Sequence, residues 1–358
     1  MKRLTLASLV LLGSVLLSAC SGAATTSSWP GLAADQNHAY LANGQYLYAV
    51  SLDSGLKVWQ FPDKAGTQLF YSNPVLTSDG QLLIGSSGRD YALYSLDPAT
   101  GKEKWAAPFA ADDHWVAPPL VVGDTVYAAN NNGTLYALKL ATGQLSWSVP
   151  LGHSLWGTPT TDGKLIFVTS LDHYLYALDP ATHKLVWKKD LGGSIAGSPL
   201  VAADGAALYV GSFAHKMFAL EAASGAIRWS AELKDWVWGT PALSGNTLYA
   251  ADVSGNLYSL GAADGKNTWP SVKPDGPITG SPLVLTNGIA VVTQAGSVYA
   301  YKPDGSMLWN PATIGGQIYT TPVLAGDRIL VAPMSAQYWL YAVNAKDGSL
   351  LPWHYDGK

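Results

Sequence analysis

The chain has one cysteine in 358 residues, Cys20, so no disulfide can form within it. Charge is sparse too: Asp, Glu, Lys and Arg together make up 13% of the sequence, for a formal net charge of −4. The lysines and arginines are scattered rather than grouped, which excludes the basic footprint of a nucleic-acid-binding protein. The apolar run Leu4–Leu17, about fourteen residues, is too short to span a bilayer. No Ser/His/Asp, Cys/His or glycine-rich phosphate-binding motif stands out. Carboxylates near the repeat edges, Asp112, Asp113, Asp172, Asp235 and Asp252, lack the spacing of a metal site. Asp112-Asp113-His114 is the one cluster worth naming, and it reads as a solvated loop.

What the chain has in abundance is tryptophan. Eight of its 14 tryptophans recur at nearly equal intervals: Trp59, Trp105, Trp147, Trp187, Trp229, Trp269, Trp309 and Trp353. Their spacings are 46, 42, 40, 42, 40, 40 and 44 residues, the mark of a repeat architecture. Each closes the same phrase. An apolar segment such as Leu135–Leu138 or Leu175–Leu178 runs into a turn such as Asp97-Pro98-Ala99-Thr100-Gly101, and the tryptophan follows. Proline suits the second position of a type I turn, and glycine supplies the positive φ that returns the chain. Two copies depart: His183 stands where the glycine is expected, and one extra residue separates Gly348 from Trp353.

A second fixed point is a proline upstream of each phrase: Pro30, Pro74, Pro119, Pro159, Pro199, Pro241, Pro282 and Pro322. Most follow a small polar residue, as in Gly157-Thr158-Pro159 and Gly197-Ser198-Pro199. After the proline come a short strand, a Gly/Asp/Asn turn and a β-rich run. Each unit therefore reads as four short antiparallel strands, apolar on both faces because identical neighbours sandwich it. Four-stranded units arranged around an axis conceal their sheet edges by closing radially. The expected fold is all-β, an eight-bladed β-propeller with four antiparallel strands per blade; an open β-solenoid is the competing architecture.

The Ala-x-Asp-x-x-Thr-Gly-x-x-x-Trp pattern, closest in Asp97–Trp105 and Asp179–Trp187, resembles the tryptophan-docking motif of the PQQ-like (quinoprotein alcohol dehydrogenase-like) propeller superfamily. The resemblance covers roughly residues 29–353 and implies that the eight repeat tryptophans are structural, each packed between adjacent blades.

The N-terminus reads as an address. Lys2-Arg3 precede the apolar run, and Leu17-Ser18-Ala19-Cys20 resembles a bacterial lipobox. The expectation is a signal peptide over 1–19, a lipidated Cys20, and a polar tether through residue 28 leading into a propeller over 29–358. An ordinary secretory signal cleaved after Ala19 is the alternative. Ser21, in place of aspartate, would not retain a lipoprotein at the inner of two membranes.

The superfamily also contains quinone-dependent dehydrogenases, whose resemblance would imply a quinone and Ca²⁺ on the axis beside a vicinal disulfide. That disulfide is impossible with one cysteine. The blades are also nearly minimal, without the long insertions that build such a pocket. The expectation is no catalytic residue, no cofactor and no metal.

Binding is better supported. Tyr71, Trp156, Trp238 and Tyr319 stand three residues before a repeat proline, and His114 and Trp236 stand two residues further upstream. Along an extended segment these positions share one face, directed at the central channel or its rim. With Trp115, these residues form the candidate ligand- or partner-binding set. Aromatic rings here either plug the channel or serve as a recognition patch, where Trp and Tyr combine contact area with a polar handle. Two insertions, Gly88-Arg89-Asp90 and Ala336-Gln337-Tyr338-Trp339, lengthen the hairpin between second and third strands.

Lipobox, size and blade number together resemble the propeller lipoproteins of the outer-membrane β-barrel assembly machinery. That resemblance implies a lipid-anchored, extracytoplasmic, non-catalytic protein-binding scaffold, a monomeric propeller within a larger complex of envelope proteins. The alternatives are a carbohydrate- or small-ligand-binding lipoprotein and, third, a PQQ-dependent dehydrogenase. One departure concerns ring closure. The family supplies its last blade's outer strand from the N-terminus, whereas here Pro30 opens a full first repeat and Trp353 ends a full eighth. Closure should then rest on packing of blade 1 against blade 8, or on the tail His354–Lys358.

Overall fold

The computed structural model describes residues 29–358. The expected signal peptide, the lipobox with Cys20 and the tether lie outside the described residues. Thirty-two strands form eight sheets of four, each antiparallel and built from consecutive strands. The blades span 31–61, 75–110, 120–150, 160–190, 200–232, 242–272, 283–313 and 323–355. The chain is an eight-bladed β-propeller. No helix of the described residues is long and apolar enough to cross a membrane.

The repeat phrase has a steric logic. In the third-to-outer strand pairing a small residue sits opposite the tryptophan: Ala49 with Trp59, Ala137 with Trp147, Ala177 with Trp187, Ala219 with Trp229, Ser259 with Trp269 and Ala300 with Trp309. The register shifts immediately beyond that pair, a bulge that raises local twist. Blade 2 is the irregular one: its outer strand shrinks to Phe109–Ala110, reached after an isolated bridge between Leu96 and Glu103.

Each indole then reaches the turn of the following blade. Trp59 lies on Gly101, Trp105 on Gly143, Trp187 on Gly225, Trp229 on Gly265, Trp269 on Gly305 and Trp309 on Gly348. Indole N–H groups cap the same turns: Trp59 Nε1 donates to Pro98 O (2.9 Å), Trp105 to Leu140 O (2.7 Å) and Trp229 to Ala262 O (3.0 Å). The glycine thus has two jobs, supplying φ near +70° and leaving room for a flat ring.

The ring closes by packing, as the in-phase ends of the repeat require. Trp353 of blade 8 rests on Gly55 of blade 1, repeating the contact made at the other junctions. Leu32, Leu41 and Val50 of blade 1 share one core with Leu330, Leu340 and Tyr355 of blade 8. The eighth-blade insertion serves this seam, since Trp339 meets Tyr48 at 5.7 Å and Tyr355 at 6.3 Å between ring centroids.

Candidate functional site

The segments crossing from one blade to the next run extended toward each repeat proline, and their side chains alternate. Four residues before the proline stand Phe70, Trp115, Leu155, Ile195, Val237, Ile278 and Ile318, all buried at 1% exposure or less. This corrects one expectation. Trp115 belongs to this inward series: its Nε1 donates to Tyr91 O (2.8 Å), and its ring packs on Phe109 and Tyr136. It lies between blades 2 and 3, out of reach of a ligand at the channel.

Around the axis, the hydroxyl before four successive prolines accepts a hydrogen bond from the preceding blade. Thr158 N donates to Ser198 Oγ (2.8 Å), Ser198 N to Thr240 Oγ1 (2.9 Å), Thr240 N to Ser281 Oγ (3.0 Å) and Ser281 N to Thr321 Oγ1 (2.9 Å). Gly197 is required beside this belt, because a Cβ there would sit 2.8 Å from Gly239 O. The belt lapses where the hydroxyl is replaced by Trp29, Asn73 and Pro118.

Above the belt the aromatics converge. Trp156 meets Trp238 at 6.2 Å, and Trp29 meets Trp238 edge-on and Tyr319 stacked, both at 6.2 Å. Trp29 opens blade 1 and Trp238 opens blade 6, so rings from non-adjacent blades touch, which is possible only across the axis. Phe213 extends the array, stacked on Trp236 at 5.1 Å and tilted against Trp238 at 5.3 Å. Polar handles are held: Trp156 Nε1 donates to Asn131 Oδ1 (2.9 Å) and Tyr319 OH to Gln317 Oε1 (3.2 Å). Trp236 is 45% exposed and Trp29 40%, so the array presents apolar area to solvent rather than burying it.

Tyr71 and His114, expected in the same ring, sit to one side. Together with Trp156 they line a cavity of about 870 Å³ between the axial array and blades 1 to 3. His114 packs against Tyr91 at 5.0 Å, with Nδ1 3.8 Å from Asp113 Oδ1. Asp113 in turn accepts from its neighbour His114 N and from Asn131 Nδ2, which makes the Asp112-Asp113-His114 cluster a braced loop. Among the described residues no group of three or more His, Cys, Asp or Glu side chains is placed to hold a metal.

Three contributors were missed from sequence. Trp29 had a legible signal, an indole at the pre-proline position that elsewhere carries a small polar residue. Phe213 and Tyr91 had none, because both lie in hairpins between second and third strands. Nothing local says that those hairpins share a face with the crossing segments.

A family model described as Outer membrane protein assembly factor BamB matches residues 13–189, 172–286 and 271–358. Among relatives of the same description, that of Legionella pneumophila (strain Paris) is 29% identical over 133 residues, 37% of this chain and 32% of the relative. That of Xanthomonas campestris is 28% identical over 113 residues (31% and 27%), and that of Escherichia coli K12 32% over 94 residues (24% and 24%). The matched stretches therefore span about a third of those relatives or less. The crystal structure of BamB from Moraxella catarrhalis superposes with a TM-score of 0.69 at 20% identity, covering 89% of this chain and 92% of that one. The computationally designed Ika8 protein superposes at 0.74 with 13% identity, over 92% and 96%. These two share the fold, and the family model spans nearly the whole propeller: the chain belongs to the BamB family of PQQ-like β-propellers.

Proposed function

We propose that the protein is a lipid-anchored, non-catalytic scaffold on the extracytoplasmic side of the envelope, acting in outer-membrane protein assembly. In this reading the channel-mouth aromatics dock a partner protein. The observation that carries it is the array Trp29, Phe213, Trp236, Trp238 and Tyr319, drawn from several blades onto one face, with Trp29 and Trp236 exposed and the other three half-buried. A ring array that only plugged the channel would bury its faces; Trp236 leaves nearly half of its surface in water. Large apolar side chains presented this way are the usual anchors of protein interfaces. Family membership supports the assembly role, and the lipobox at Cys20 supports the anchor. A tether ending at Trp29 would join the propeller at this same mouth.

The test is recovery of partners from the native envelope fraction by wild type and by a Trp236→Ala/Trp238→Ala double variant at matched folded concentration. Recognition predicts at least a tenfold loss of recovery, about 1.4 kcal/mol, with little change in melting temperature. Undiminished recovery by a folded double variant would remove the proposed docking face.

A further inference from the structure

The cavity beside the axial array is built where the repeat departs from its minimal form. Nine residues separate the outer strand of blade 3, ending at Pro150, from the next inner strand at Thr160. Thirteen separate Phe61 from Val75 between blades 1 and 2. That longer crossing and the Gly88-Arg89-Asp90 insertion of blade 2 fold onto one another. Ser87 N donates to Leu69 O (2.6 Å) and Arg89 N to Thr67 O (3.1 Å), while Leu69 N donates to Ser86 Oγ (3.2 Å). Neither insertion is needed to complete a blade, and together they form one wall of the cavity.

The lining has a definite chemistry. Trp29, Tyr71, Tyr91 and Trp156 supply aromatic surface, and Gln45, Thr67 and Ser87 supply polar edges. No carboxylate lines it. Its one permanently charged group is Arg89, which is exposed and has no acidic partner among the ion pairs of the described residues. Gln45 spends one amide hydrogen on Gly66 O (2.7 Å). Rings with polar edges suit the apolar face and hydroxyl rim of a pyranose. An unpaired guanidinium beside them suits a carboxylate, which it grips bidentately. Extended peptide is disfavoured, because strand addition needs free backbone groups and the two wall loops spend theirs on each other.

We infer that this cavity is a binding site for an anionic saccharide, a short glycan bearing carboxylates, with Arg89 as the charge-reading residue and Tyr91 and Trp156 as ring platforms. The cavity adjoins the partner-docking array and shares Trp29 with it, but Trp236 and Trp238 do not line it.

The experiment titrates the purified full-length protein with trigalacturonate and, in parallel, with the neutral trisaccharide maltotriose, read by tryptophan fluorescence and by calorimetry. The expected result is saturable binding of trigalacturonate at least tenfold tighter than maltotriose. Arg89→Gln, at an exposed position, should abolish that preference and leave the melting temperature within a degree or so of wild type. Trp236→Ala, whose ring stacks on Phe213 and on no lining residue, should leave it intact, so failure here is distinguishable from failure of the scaffold reading. Absence of saturable binding, equal affinity for the neutral sugar, or an Arg89→Gln variant that binds like wild type would each overturn the inference. So would binding of a trigalacturonate-sized acidic peptide in preference to the glycan.

Discussion

His183 lies flat against Trp147, ring centroids 4.6 Å apart and planes 24° from parallel. The other seven junctions place a glycine at this point under the indole. His183 keeps the glycine's backbone, with φ at +60°, and fills the space with an imidazole that stacks on the tryptophan. A left-handed conformation costs a non-glycine residue roughly 1–2 kcal/mol, and a ring pair returns about 0.5–1.5 kcal/mol. The two nearly cancel, which explains how a departure from the motif survives at a docking position.

That balance orders two variants. His183→Gly should unfold within about 1 kcal/mol of wild type, since strain and stacking vanish together. His183→Ala keeps the strain and loses the ring, so it should be the less stable of the two. Denaturant melts decide it, and an alanine variant as stable as the glycine one would contradict the stacking argument.

A second pair isolates the indole N–H. Trp229 Nε1 donates to Ala262 O at 3.0 Å, whereas Trp269 Nε1 is buried with no partner. The reason is the turn. At Tyr301–Gly305 it is one residue short, closing Gly305 N on Lys302 O, while elsewhere the glycine bonds four residues back, as Gly265 N does to Gly261 O. Trp229→Phe should cost about 1–2 kcal/mol more than Trp269→Phe, because only the former loses a hydrogen bond and the latter relieves an orphaned donor. Equal losses would mean the orphan is satisfied in solution.

The closing seam should be looser than an ordinary junction. A Cβ at Gly101 would lie 2.6 Å from the Trp59 ring, and one at Gly55 3.1 Å from the Trp353 ring. Both glycines have φ near +70°, so the backbone penalty is shared. Gly101→Ala should destabilise by roughly 2–4 kcal/mol, combining strain and overpacking. Gly55→Ala should cost less, by about 1 kcal/mol or more, as read from paired denaturation curves.

Alkaline pH should destabilise the propeller. Burial, with Tyr46 adjoining Tyr48 and Tyr299 adjoining Tyr301, pushes the hydroxyls of Tyr48 and Tyr301 up to about 12. Burial, then Asp252, raises Tyr258 further, through a 2.7 Å bond to that carboxylate. In the unfolded chain tyrosine titrates near 10. The folded state therefore holds more protons between these values, and stability must fall as pH rises through that window. Below about pH 10 the contribution is complete. A melting temperature unchanged from pH 9 to pH 12 would contradict the burial of these hydroxyls.

Trp115 and Trp236 separate core from face. Trp115→Ala should cost about 3–5 kcal/mol, the range for a large buried aromatic, while Trp236→Ala should change stability by under about 1 kcal/mol. At the other end of the chain, Cys20→Ala should move the protein from membranes to the soluble fraction; continued membrane retention would refute the lipid anchor.

Blade number, strand order and the structural role of the eight tryptophans were legible in the sequence by itself, because they arise from local and repeating causes. Turn chemistry, the apolar runs and a period near forty residues each constrain one unit, and eight copies reinforce the reading. Closure was left between packing of blade 1 on blade 8 and the tail His354–Lys358, and both contribute: Trp353 meets Gly55, and Tyr355 of the tail joins the shared core. The channel mouth was only half legible. Alternation along the crossing segments placed Tyr71, Trp156, Trp238 and Tyr319 on the correct side, and the same alternation, applied strictly, would have sent Trp115 into the core. Only the tertiary structure decided that Trp29 stacks on Tyr319, that Phe213 joins Trp236, and that the long crossing from blade 1 to blade 2 meets the blade 2 insertion to wall a cavity. Those contacts join residues of different blades around a ring, and their positions depend on blade angle and ring closure. A repeat encodes how each blade packs on the next; which side chains meet across the axis is a property of the closed circle.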